Sequence, residues 1–76
     1  MSMTREEFLS LPWSVTPRGG YILTTEGHTV SIVRAMTCSP TYGVTVDGVY
    51  TAHYEGARIS DVMTAKLAAY EILRKE

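Results

Sequence analysis

Seventy-six residues with 45% apolar and 20% charged side chains describe one small globular domain, not a disordered chain or a multidomain protein. Seven basic residues against eight acidic ones leave a net charge of −1, which argues against non-specific phosphate binding driven by basic charge. Cys38 stands alone, which rules out an internal disulfide or a thiolate metal cluster.

The first predicted element is a short helix. Thr4 is placed to cap it, and Glu7 three residues on completes a capping box. Met3 and Phe8 occupy the staple positions around that box, and Glu6 and Glu7 suit the positive end of the helix dipole. Pro12 stops the helix near Leu11, with Phe8 and Leu11 turned inward and Leu9 at the margin. Residues 13–16 form a short extended piece, and residues 17–20 form a turn around Gly19 and Gly20. A strand over 21–25, a turn at Glu26, Gly27 and His28, and a second strand over 29–36 follow. Residues 37–41 read as a loop.

The stretch 42–54 is the strongest local signal. Two β-prone runs flank Asp47-Gly48, the dipeptide favoured in two-residue hairpins. Such a turn sets the register, so Val46 pairs with Val49. Tyr42, Val44, Val46, Val49, Thr51 and His53 then share one face; Gly43, Thr45, Tyr50, Ala52 and Tyr54 share the other. Residues 55–58 lead to a last helix, capped by Ser60 with Asp61 in its first turn and running to about Arg74. Ile59, Val62, Met63, Leu67, Ala69, Tyr70 and Leu73 define one broad apolar arc. Lys66 falls inside that arc and is expected to snorkel, its stem packed and its amine in water; the alternative is a buried charge with an acidic partner.

These elements predict an α+β fold. A four-stranded antiparallel meander carries a short N-terminal helix and a longer C-terminal helix on one face, in the order α-β-β-β-β-α. The other face is left open. No apolar run approaches the roughly 20 residues of a bilayer span. Residues 1–7 lack the basic start and apolar stretch of a signal peptide, so a cytoplasmic address is expected.

Candidate chemistry is sparse. His28, His53 and Cys38 lack metal-ligand spacing, and Arg18-Gly19-Gly20 lacks the full phosphate-loop pattern. No nucleophile elbow is present. The expectation is a protein that is not an enzyme and uses no cofactor or metal. Tyr50 and Tyr54 are the candidate anchors, exposed on a platform of small residues that includes Gly43 and Thr45. Arg34 supplies a polar contact, with His28 also at the border. Exposed tyrosines bring large contact area at little entropic cost.

The closing residues Ala68-Ala69-Tyr70-Glu71-Ile72-Leu73, together with the helix–strands–helix layout, resemble a double-stranded-RNA-binding domain. That family's last helix carries Ala-Ala followed, two residues on, by a small residue and Leu. The resemblance implies RNA binding through lysines at the start of this helix. Here the corresponding positions are Asp61, Val62 and Ala65, Lys66 is out of phase, and the first helix is shorter. The family's binding residues are therefore not carried over.

Two functions follow as expectations. The first is a protein-binding module that occludes a partner's surface. It would be a phage-type accessory protein or an inhibitor of a bacterial defence complex, such as an anti-CRISPR, with a protein of a nucleic-acid-handling complex as partner. The second is direct RNA or DNA binding through a local basic patch drawn from Arg18, Arg34, Arg58 or Lys66. A homodimer is compatible with either.

Overall fold

The computed structural model of the chain describes residues 3–17, 19–35 and 41–75. The expected loop around Cys38, the strand end at Met36 and the basic candidate Arg18 lie outside the described residues.

Helix α1, Arg5–Leu9, forms on its capping box. Thr4 Oγ1 accepts the Glu7 N–H at 3.2 Å, and Glu7 Oε1 accepts the Thr4 N–H at 3.0 Å. Its one buried side chain, Phe8, meets Trp13 edge-on at 5.5 Å and Tyr70 at 5.6 Å between ring centroids. The Tyr70 hydroxyl donates to the Met3 carbonyl at 3.0 Å, tying the N-terminal segment to helix α2, Val62–Arg74.

Between the helices runs an antiparallel sheet in sequential order: β1 (Ser14–Val15), β2 (Tyr21–Thr25), β3 (His28–Ala35), β4 (Thr41–Val46) and β5 (Val49–Thr51). Register follows the Asp47-Gly48 turn as expected, with Val46 opposite Val49, Thr45 opposite Tyr50 and Val44 opposite Thr51. Leu23, Val30, Ile32, Val44 and Val46 point to the helices and are buried with Phe8, Ile59, Ala69 and Leu73. The α+β architecture is that read from the sequence, and the helices cover the valine face, one of the two coverings the sequence left open.

Three details differ. The extended piece at residues 13–16 is a true edge strand, which makes the meander five-stranded. Thr16 closes the preceding turn on both sides. Its N–H donates to the Gly20 carbonyl at 2.8 Å, and its hydroxyl accepts the Gly20 N–H at 2.9 Å. This turn folds Ser14 and Val15 back onto Ile22 and Tyr21.

The last strand does not continue to Tyr54. The Tyr42 N–H, which His53 would have faced in an unbroken hairpin, donates instead to the Ile59 carbonyl at 2.9 Å, and the Ile59 N–H donates to Ala52 at 3.0 Å. Ile59, fully buried, takes the ladder position. Residues 53–58 are extruded as a separate hairpin of β6 (His53–Tyr54) and β7 (Ala57–Arg58). Its turn at Glu55-Gly56 has positive φ at both positions (53° and 82°), like Asp47-Gly48 (50° and 89°) and Glu26-Gly27 (49° and 80°). Positive φ at both central residues is the primed geometry that suits twisted strands.

Helix α2 is capped by Asp61, one residue later than expected, whose carboxylate accepts the Thr64 N–H at 2.7 Å. Of the expected arc, Ile59, Ala69, Tyr70 and Leu73 are buried; Ala65 and Ala68 join them, while Met63 is 57% exposed. Small side chains let the helix axis approach the sheet closely, which outweighs the hydrophobicity of a bulkier Met at the margin. Among the described residues no helix is long and apolar enough to cross a membrane.

Candidate docking surface

The strand alternation that buries the valines sends the other set of side chains outward, where no element covers them. Ile22 lies opposite Ser31, Ser31 opposite Thr45, Val33 opposite Gly43, and Thr45 opposite Tyr50. Thr24 and Thr29 extend the same face toward the turns. The side chains of this face within the paired strands, Ile22, Thr24, Thr29, Ser31, Val33, Thr45 and Tyr50, are uncharged. Its apolar members are well exposed: Tyr50 at 63%, Val33 at 48% and Ile22 at 43%.

Tyr50 is held in a defined pose. A Cβ built on Gly43 would sit only 2.5 Å from both the Cε2 and the hydroxyl of Tyr50, so the ring lies directly over the glycine backbone. The ring covers what would otherwise be a bare stretch of central strand, an aromatic rescue of the glycine. One face of the ring is thereby spent on the sheet and the other is turned to solvent. Little rotamer freedom is left to lose on docking.

The four residues chosen from the sequence divide. Thr45 and Tyr50 come together as a cross-strand pair. Arg34 does not join them: it lies opposite Tyr42 and shares the parity of core residue Ile32, so it belongs to the helix side of the sheet. Tyr54 does not join them either. It sits in the β6–β7 hairpin, half-buried against the core. His28 also has the parity of the helix side, through its pairing with Thr25. Ile22, Ser31 and Val33 complete the surface and were missed. Their signal was the alternation within 21–25 and 29–34, which has no assigned face until the strands are paired.

The remaining candidate groups are accounted for locally. The Lys66 amine lies 5.1 Å from the Trp13 ring centroid and 5.4 Å from that of Tyr21, a cation between two aromatic faces. Its charge is met by the π density of these two rings. Arg58 is exposed in β7, opposite His53. A groove of about 370 Å³ opens between the β6 region and α2, with Tyr54, Ala68 and Ile72 on its floor and His53, Glu55, Glu71 and Lys75 at its rim. Glu71 is engaged there by Arg74, Nε to Oε2 at 3.0 Å. Among the described residues no three His, Cys, Asp or Glu side chains are grouped to hold a metal ion.

No family model, curated protein or solved structure matches this chain.

Proposed function

We propose that this protein is a non-enzymatic binding module that works by stoichiometric occlusion of a partner protein, with the open sheet face as its contact surface. The observation that carries the reading is the uncharged outer face with Tyr50 seated on Gly43. An uncharged face is cheaply desolvated against a protein, whereas a nucleic acid needs cations to meet its phosphates. Arg34, Arg58 and Lys66 all lie off this face. Tyr50 is the anchor, Ile22 and Val33 supply apolar area, and Thr45 and Ser31 supply hydrogen-bonding groups. A cytoplasmic setting and a target within a nucleic-acid-handling defence complex, as for an anti-CRISPR, belong to the same proposal. They rest on the chain's size and composition, not on a motif.

The test is capture of partners from host lysate with and without nuclease, followed by affinity measurement on the recovered partner. A protein retained after nuclease should bind Tyr50→Ala and Val33→Lys at least ~30-fold more weakly, the loss of about 2 kcal/mol typical of a hot spot. Arg58→Gln should bind as the parent does. Gly43→Ala should also weaken binding, because it lifts the Tyr50 ring without removing it. Unchanged affinity in folded Tyr50→Ala and Val33→Lys would refute the surface. Capture that disappears with nuclease and falls steeply with salt would favour the nucleic-acid reading instead.

A further inference from the structure

Two hairpin turns at the same end of the sheet are tied together through one carboxylate. Asp47 heads the β4–β5 turn. Its Oδ1 accepts the Thr29 N–H at 2.9 Å, and its Oδ2 lies 2.5 Å from Nδ1 of His28, the first residue of β3. Its own N–H donates to the Thr29 carbonyl at 2.9 Å. The backbone bond extends the β3–β4 ladder, so the side-chain contacts are additional and specific to Asp47. The two side chains are 29% and 39% exposed, so protons from bulk water reach them.

What the carboxylate holds is an edge. β5 is three residues long and pairs only with β4 in the sheet. Short edge strands open locally at low cost, and the attachments of their turns set how often they do so. Tyr50 is the middle residue of that strand.

We propose that His28 and Asp47 form a proton-operated latch that clamps the β4–β5 turn, and with it β5, to the β2–β3 hairpin. While the imidazole is protonated and Asp47 ionised, the contact is a charge-assisted hydrogen bond. When the imidazole loses its proton, the attraction between full charges goes, and Nδ1 can at most donate from a neutral ring to the carboxylate. Imidazole is the side chain whose unperturbed titration, near pH ~6.5, lies in the range where this matters. Asp47 faces His28 from the β4–β5 turn, Glu26 precedes it in its own turn, and Thr25, its cross-strand partner, is neutral. Asp47, the carboxylate in contact with the ring, favours the latched, protonated form. β5 is therefore held most firmly in mildly acidic solution and loosens toward alkaline pH. That this regulates docking rests on Tyr50 being the anchor; the latch itself does not.

Amide hydrogen exchange followed by NMR between about pH 5.5 and about pH 8.5, corrected for intrinsic base catalysis, tests the latch without any partner. Protection of Thr29 and of the β5 amides should fall about two- to fivefold, the effect of a part-exposed ion pair, with a midpoint matching the His28 ring titration. Asp47→Asn keeps one oxygen acceptor, enough for the Thr29 N–H, but no charge, and should flatten the profile, as should His28→Gln. His53→Gln should leave it unchanged. Flat protection in the parent across the His28 titration overturns the proposal, as does the same pH dependence surviving in His28→Gln. If this titration appears and Tyr50→Ala binds normally, the latch stands and the docking surface falls; the opposite pair of results removes the latch alone.

Discussion

At the scale of single residues, the acidic side chains at the head of the three tight turns carry the most information. Glu26, Asp47 and Glu55 all have positive φ. Asp tolerates this conformation because its short side chain bonds locally, and Asp47 does so with Thr29 and His28. Glu has no such compensation. Glu26→Asn and Glu55→Asn should each stabilise the fold by about 0.5–1 kcal/mol, part of the roughly 1–2 kcal/mol that a left-handed L-residue costs. For a domain of this size that raises the thermal midpoint by about 2–8 °C, measurable by circular dichroism. The same substitution at Asp47 should not stabilise, because the carboxylate is already engaged. Tyr50 and Gly43 make a second residue-scale unit, in which the glycine matters for the space above it and not for its backbone angles.

At the scale of elements, the close seat of α2 on the sheet is the feature most sensitive to change. Ala65 and Ala69 are fully buried in the stripe against the core, and Leu73 follows one turn on. A larger side chain there must push the helix off the sheet. Ala69→Leu should therefore destabilise by about 1–3 kcal/mol despite its greater hydrophobicity and good helix propensity, read as a lower urea midpoint. Met63→Leu, on the exposed flank of the same helix, should change stability by less than about 0.5 kcal/mol. The contrast separates close packing from hydrophobicity as the force that sets the helix rotation. The β6–β7 hairpin obeys the same logic, since burying Ile59 decides which backbone pairs with Tyr42.

At the scale of the whole molecule, stability should depend on acid in a predictable direction. Among the described residues, three carboxylates titrate below their ordinary values. For Glu7 the cause is the hydrogen bonding at Thr4, for Asp61 the backbone N–H of Thr64, and for Asp47 first the hydrogen bond from His28 and then the N–H of Thr29. A folded-state value below the unfolded one means that the unfolded chain binds protons first as pH falls. These contributions are complete above the ordinary carboxylate range, near pH ~4, and are lost progressively as pH drops through the lowered folded values. The thermal midpoint should hold down to about pH 5 and fall below about pH 4. In Asp61→Asn that fall should be shallower, because one of the titrating groups is gone. A parent midpoint that rises as pH falls below about 4 would contradict this assignment. A chain of this size buries only about 60% of its unfolded surface, so even modest losses should show in the melt.

The amino-acid sequence by itself determined the local structure. Thr4 with Glu7 specified where α1 begins, Asp47-Gly48 specified a turn and the register beside it, and the valine alternation specified which residues of β4 share a face. Each of these is settled by backbone chemistry within a few residues, so a short window holds the whole answer. The tertiary structure alone decided that the helices cover the valine face, that Arg34 lies across the sheet from Tyr50, that Tyr54 leaves the strand, and that α2 buries Ala65 and Ala68 while exposing Met63. It also decided that Lys66 rests between Trp13 and Tyr21, and that His28 meets Asp47. All of these depend on contacts between residues distant in the chain, where segments compete for the same ladder position or the same core volume. The winner of such a competition is set by the sum of packing and hydrogen bonding over the whole fold, which no local pattern contains.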